Sequence, residues 1–343
     1  MRFALSPEQL DFGTSVRKLL DAGQTPAAIR AWAAGDPRAG RALIRQLANS
    51  GVLGLAIDED NGGVGAEPID LVVAFLELGR AGVPGPLVET AGAIPALLQA
   101  LPDAELAQRW LPGFAEGTAL GTIAFAAPDQ EPVVLDADTA EVVLVVDGAE
   151  LCQAEHRTLV RSVDPARRLF TVSPGEPVAE GETVVDAAAV AFDTGALACA
   201  AQLLGAGRAL LHQATEYAKQ RKQFGKPIGE FQAVKQKLAD VLIALDLAEP
   251  LLFRAALTMG ESTRSRDVSA AIITCGDAAY AAARAALQVH GAIGYTAEYD
   301  LSLWLTKVTA LRSAWGTTDL HRSRIARALR DEAIQDRALR GEA

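Results

Sequence analysis

From Asp193 onward the apolar side chains recur with a helical period through several long runs joined by short turns, and few folds besides a helical bundle satisfy that pattern. In "ALACAAQLLGAGRALLHQATEYAKQRKQ" the period is kept by Leu197, Leu203, Leu204, Leu210, Leu211 and Tyr217, with Asp193 or Thr194 placed to cap the start. "FQAVKQKLADVLIALDLAEPLLFRAALTMG" follows, and Pro250 stands where it would kink or divide that run. "SRDVSAAIITCGDAAYAAARAALQVHGAIGY" and "DLSLWLTKVTALRSAWGTTDLHRSRIARALRDEA" complete the set. The N-terminal part also reads as helix. Ser6 as N-cap, Pro7 at the first helical position and Gln9 three residues beyond Ser6 spell a capping box. "GRALIRQLANSG", "IDLVVAFLELGRAG" and "ETAGAIPALLQALP" carry helix to about Trp110, interrupted by a Gly-rich loop, "LGLAIDEDNGGVGAEP".

Between these halves the pattern changes. From about Leu120 to Phe192 apolar residues come in short β-branched runs: "GTIAFAAP", "EPVVLDA", "AEVVLVVDG", "RTLVRSVD", "RLFTVSP" and "ETVVDAAAVAF". Asp, Pro and Gly separate them, as in a small sheet or barrel. The expected fold class is therefore α+β and mainly α. Residues 1–112 form an N-terminal helical domain, 113–192 a reduced β domain and 193–343 a C-terminal four-helix bundle.

A net charge of -11 argues against wide capture of nucleic acid or an anionic membrane. A local basic cluster, Lys219, Arg221, Lys222 and Lys226, is still placed to hold one anionic ligand. The three cysteines, Cys152, Cys199 and Cys275, are scattered, which suits small apolar fillers in a reducing compartment. His156, His212, His290 and His321 form no local ligand pair, so a metal site is not expected. "MRFALSPEQLDF" lacks a signal-peptide layout, and no apolar run reads as long enough to span a bilayer. The expectation is a cytoplasmic protein.

Three stretches ask for more than structure. In "RKQFGKPIGEFQ" the cations suit a helix C-terminus and Gly225, Pro227 and Gly229 are ordinary punctuation. Phe224, however, sits in the turn itself and needs a cover, with Arg221 and Gln223 beside it as donors for a phosphate or amide. In "QVHGAIGYTAEYD" a helix C-cap accounts for one glycine but not for Gln288 and His290 leading into the turn. In "WGTTDLH" Gly316 interrupts a helix and Thr317 or Thr318 can cap the next, either as a simple break or as a helix start facing an anion.

The helical, β, helical order together with "RKQFGKPIGEFQAVKQKLAD" and "QVHGAIGYTAEYDLSLWLTK" resembles the acyl-CoA dehydrogenase family, and the resemblance runs the length of the chain. "LGLAIDEDNGGVGAEPIDLVVAFLELGRAGVPGPLVET" and "WLPGFAEGTALGTIAFA" are similar to its actinobacterial members. The resemblance implies FAD, reached across a subunit interface. Arg221, Gln223 and Phe224 would meet the pyrophosphate and adenosine half, with Gln232 nearby. Gln288, Gly291 and Ala292 match a second contact to that half, and Thr317 a third at a helix start.

The same family uses a Glu to remove the α-proton of an acyl thioester while a hydride passes to flavin. Its two known places for that Glu correspond here to Trp315 and, counting back without gaps, Gly195. The tryptophans, Trp32, Trp110, Trp304 and Trp315, all lie outside the β region, where the family has one beside the flavin ring. This asymmetry resembles the shorter, base-lacking subunit of α2β2 heterotetrameric acyl-CoA dehydrogenases that act on steroid side-chain CoA esters, with a longer partner carrying base and ring pocket. The alternatives are a self-sufficient enzyme with an unusual base, Asp193 or Glu298, and a non-enzymatic member that binds acyl-CoA or protein.

Overall fold

The capping box forms at the start of the chain. Ser6 Oγ accepts from the Gln9 N–H at 3.2 Å and Gln9 Oε1 from the Ser6 N–H at 3.0 Å, launching α1 (Pro7–Ala22). The structure, a computed structural model, describes residues 4–339. Beyond α1 the N-terminal helices are α2 (Thr25–Ala33), α3 (Arg38–Asn49), α4 (Pro68–Ala81), α5 (Ile94–Ala100) and α6 (Glu105–Ala115). A single π-helical turn, Glu89–Ala93, leads into α5.

Five strands follow: β1 (Gly121–Phe125), β2 (Val133–Leu135), β3 (Val142–Asp147), β4 (Glu150–Val160) and β5 (Leu169–Glu180). Their order is β1-β3-β4-β5-β2, with β1 parallel to β3 and the other pairs antiparallel. Thr90 ties this sheet to the N-terminal helices: its Oγ1 donates to the Gly121 carbonyl at 2.9 Å and accepts from the Gly121 N–H at 3.0 Å.

The sixth expected strand is helix. "ETVVDAAAVAF" opens α7 (Glu182–Gln220), so Asp193 and Thr194 lie inside that helix rather than at its cap. Val184, Ala187, Ala188 and Ala191 are buried at helical spacing, and the alanines outweigh the three valines that suggested a strand. The bundle continues with α8 (Gln232–Leu257), which runs on through Pro250, then α9 (Arg264–His290), α10 (Leu301–Ala314) and α11 (Thr318–Leu339). A short hairpin, β6 (Lys222–Gln223) and β7 (Lys226–Pro227), joins α7 to α8.

The core centres on α7, which contacts α4 so closely that backbones touch. A Cβ at Gly79 would lie 2.1 Å from the Gln202 carbonyl oxygen, and one at Gly205 2.0 Å from that of Leu76. Only glycine permits this crossing. Helix α7 also corrects the expectation that no run is apolar enough to span a bilayer. It is long and apolar enough by length and composition, but 72% of its apolar window is buried inside the protein.

Asp136 closes the seam between α2 and the sheet. Its fully buried carboxylate accepts from Trp32 Nε1 at 3.0 Å and from the Arg168 N–H at 3.2 Å, leaving Oδ2 unpartnered. Burial pushes its pKa up to about 7, against the hydrogen bond from Trp32. An unfolded Asp ionises near pH 4, so between that pH and neutrality the folded chain holds the extra proton and stability falls as pH rises. Asp136→Asn keeps both accepted bonds and suits the positive φ of 51° at this position. We expect the variant to match the wild type near pH 3, to exceed it by roughly 1–2 kcal/mol near pH 5 and by roughly 4 kcal/mol at most near pH 8. Thermal melts across that range check this; a constant difference would contradict it.

Candidate functional site

The joint between α7 and α8 is a two-residue hairpin loop. Phe224 and Gly225 both have positive φ, 51° and 82°, as a type I′ turn requires. A phenylalanine in that region of backbone space costs on the order of 1–3 kcal/mol. It is also 91% exposed, and its ring meets only the edge of Phe231 at 6.2 Å. The Lys226 ammonium lies 4.6 Å from the Phe231 ring centre. Gln223 Nε2 donates to the Lys222 carbonyl at 2.8 Å, and the exposed Arg221 side chain makes no hydrogen bond or ion pair among the described residues.

The second stretch reaches the same end of the bundle. Helix α9 ends at Gly291 with φ 70°, and its last residue, His290, stacks on Tyr217 of α7 with ring centres 4.2 Å apart. Burial lowers the His290 pKa; its Nδ1 faces the Ala286 carbonyl at 2.8 Å, an acceptor, so Nδ1 carries the proton. Gln288, Gly291 and Ala292 share one wall of a groove of about 930 Å3 between α8 and α9, with Lys237 and Arg284 beside them. Gln232 is the first residue of α8 and belongs to this end too.

Thr317 lies elsewhere. Its Oγ1 accepts from the Leu320 N–H at 3.2 Å, so of the two threonines offered as N-cap for α11 it is Thr317 that serves. His321, one turn on, faces Ser269 Oγ at 3.1 Å and the Trp315 carbonyl at 2.8 Å. Ser269 is near the start of α9 and His290 at its end, so these two regions stand roughly 30 Å apart at about 1.5 Å per residue. The chain thus gathers Arg221, Gln223, Phe224, Gln232, Gln288, Gly291 and Ala292 at one end of the bundle and leaves Thr317 at the other.

Around Thr317 the decisive contact is between Trp315 and Gly195. A Cβ built on Gly195 would meet the Trp315 ring at 2.2 Å from Cζ3 and 2.3 Å from Cη2. The indole therefore lies directly on the α7 backbone, in the space a side chain at 195 would need. Phe125 and Phe192 pack around it with ring centres 5.9 and 6.1 Å away, and His321 stacks on Phe192 at 6.0 Å. Asp193, 1% exposed, is bound by Arg264 Nε at 2.9 Å and by Arg324. Glu298 sits in the exposed turn after Tyr295, at the opposite end.

Residues 6–118 match the family described as "Acyl-CoA dehydrogenase, N-terminal domain" and residues 185–330 that described as "Acyl-CoA dehydrogenase, C-terminal domain". The acyl-CoA dehydrogenase IpdE2 of Mycobacterium tuberculosis is 33% identical over 288 residues, covering 82% of this chain and 85% of that one. The chain belongs to the acyl-CoA dehydrogenase family. Its fold is shared with the ChsE4-ChsE5 complex of Mycobacterium tuberculosis at 23% identity and TM-score 0.80, covering 96% of this chain and 99% of that one. The Tcur3481-Tcur3483 steroid ACAD is alike at 22% identity and TM-score 0.82, covering 95% and 99%.

In this acyl-CoA dehydrogenase chain a cavity of about 820 Å3 opens beside Trp315, between the sheet and the end of α10. Sequence reasoning missed the polar residues in its wall. Glu89, 5% exposed, has an Oε2 with no hydrogen-bond partner, and burial raises its pKa despite the field of Arg167. The available signal was a lone acid inside the apolar run from Val83 to Leu98. Arg167 lines the same cavity and makes no hydrogen bond or ion pair through its side chain among the described residues.

The contact of Trp315 with Gly195 makes the two positions energetically one. Gly195→Ala is expected to lower stability by about 1–3 kcal/mol by overpacking. In a Trp315→Ala background the same change should cost close to nothing, because the ring it strikes is gone. Urea melts of the four proteins check this, and an equal cost in both backgrounds would contradict it.

Proposed function

We propose that this chain is the base-lacking subunit of an FAD-dependent acyl-CoA dehydrogenase and completes the flavin site of a longer family member in an α2β2 assembly. The reaction is α,β-dehydrogenation of an acyl-CoA thioester, with a steroid side-chain CoA ester as the substrate class. One observation carries the reading: the Trp315 indole occupies the space over Gly195, so both positions where the family places its Glu are filled by one apolar ring. A carboxylate at either position would have to displace that ring.

The nucleotide half of FAD is the half for which this chain offers a set of matching groups. Arg221 offers the diphosphate a guanidinium that is unpaired among the described residues, and Gln223 an amide. Phe224 offers a strained, uncovered aromatic face to the adenosine. Gln232, Gln288, Gly291 and Ala292 extend that surface, and the free N–H groups at the start of α11, behind Thr317, suit an anion. Bound FAD accepts the hydride from the β-carbon. Because Thr317 stands at the far end of α9 from the other seven, sharing a flavin between chains is the arrangement that uses both groups. An interface is also on offer along α8, where Ile243, Leu247 and Leu251 form an exposed apolar stripe at four-residue spacing. The fold-level likeness to a complex named for two unlike chains, and to a protein named a steroid ACAD, agrees with the partner and the substrate class.

The test is flavin affinity of the co-expressed pair. Arg221→Ala in this chain should weaken flavin retention about tenfold, the worth of a charge-assisted hydrogen bond. Phe224→Ala should also loosen flavin while leaving the assembly intact by size. Unchanged flavin content in both variants would overturn the role given to this loop.

A further inference from the structure

Helix α8 is apolar on two faces. Val241, Leu245, Ala248 and Leu252 are buried against the bundle, while Ile243, Leu247 and Leu251 point outward and Leu247 is 67% exposed. A helix apolar on both sides is expected where both sides are covered. The outward residues are ordered symmetrically about Leu247. Ala244 and Pro250, both short, lie three residues before and after it, Ile243 and Leu251 four, and Asp240 and Arg254 seven. At about 100° per residue all six fall within roughly 60° of Leu247 around the helix, so they form one face. Asp240, Ala244, Leu247, Leu251 and Arg254 also keep the alternation of four and three residues that lets two helices interlock.

We propose that α8 is a twofold contact between two copies of this chain, with the helices antiparallel and crossing at Leu247. It names the chain that covers α8, rests on the α2β2 reading for what lies beyond it, and leaves the flavin loop of each copy to a longer subunit. A twofold contact requires a face that matches itself, residue for residue in reverse order, whereas an unlike chain requires no such symmetry. Here Leu247 meets Leu247, Ile243 meets Leu251 and the short Ala244 and Pro250 let the backbones approach. The charges set the direction. Antiparallel helices put Asp240 of each copy beside Arg254 of the other; parallel helices would set like charges together. Asp240 is exposed and makes no hydrogen bond or ion pair through its side chain among the described residues. Arg254, bound through Nε by Asp267 at 3.1 Å, is partly exposed, and a guanidinium has five N–H donors to share between carboxylates. One helix pair buries less than the roughly 1,200–2,000 Å2 of a stable interface, so the contact is weak in this chain alone and firm once longer subunits add to it.

The experiment is disulfide trapping on the full chain, alone at high concentration and in the co-expressed complex. The native cysteines, Cys152, Cys199 and Cys275, are buried, so an engineered surface thiol reports by itself. Under mild oxidation Leu247→Cys should link this chain to a second copy. Ile243→Cys should not, because the twofold sets the two thiols roughly 12 Å apart along the axis. Ile243→Cys combined with Leu251→Cys in one chain should link again. No dimer from Leu247→Cys in either sample, or a dimer from Ile243→Cys as readily as from Leu247→Cys, would overturn the proposal. Leu247→Glu, at an exposed site, should leave the melting temperature of the chain alone unchanged and halve the native mass of the complex with flavin retained; an intact α2β2 mass would overturn the contact. A complex that carries no flavin even without substitutions defeats the dehydrogenase-subunit reading, and the trapping result still decides the contact.

Discussion

The indole of Trp315 lying on the bare backbone of Gly195 is the contact on which the functional architecture depends. It joins the end of α10 to the middle of α7, the helix at the centre of the bundle. Phe125 brings the sheet into the same cluster, and Phe192 with His321 brings in α11. Protein interiors have no room for a second occupant of such a site. On the reading proposed above chemistry and packing are coupled here: the residue that seals the junction of sheet and bundle stands where the family has its proton acceptor. Asp193 lies two residues from Gly195 along α7. Its carboxylate is committed to Arg264 and Arg324, which anchor the starts of α9 and α11.

At the other end of the bundle the economy is reversed. There the chain holds Phe224 in solvent at a cost in backbone strain, with the exposed Arg221 beside it unpaired among the described residues. The stack of Tyr217 on His290 holds the ends of α7 and α9 together, so the hairpin and the Gln288–Ala292 turn face outward as one surface. On the reading proposed above, this outward surface is the part of the chain that a partner's flavin would complete. The apolar stripe on α8 runs between these ends, and on the proposed reading it is where a second chain would pack.

Much of this was legible in the residues themselves. The Ser6–Gln9 capping box, the order of helical and β regions and a threonine N-cap after Gly316 follow from local chemistry, and each is present. The misreading of "ETVVDAAAVAF" has a physical cause. Valines favour strand on a short view, and only the continuity of α7 across Phe192 and Asp193 reveals the helical burial of Val184, Ala187 and Ala191. That the motif positions divide between opposite ends of α9 was not readable either, since spacing along the chain says nothing of which helix ends meet. Glu89 and Arg167 escaped notice because their meaning is tertiary: neither lies in a motif, and 78 residues separate them.

The central claim is that this chain contributes to a partner's flavin site without supplying the base, because the Trp315 indole occupies the space over Gly195. The most direct measurement is the flavin count of the purified assembly with its longer partner, taken from absorbance together with native mass. The account gives about one flavin per two chains, and none on this chain purified alone. One flavin per chain, or a yellow homo-oligomer that oxidises acyl-CoA unaided, would contradict it.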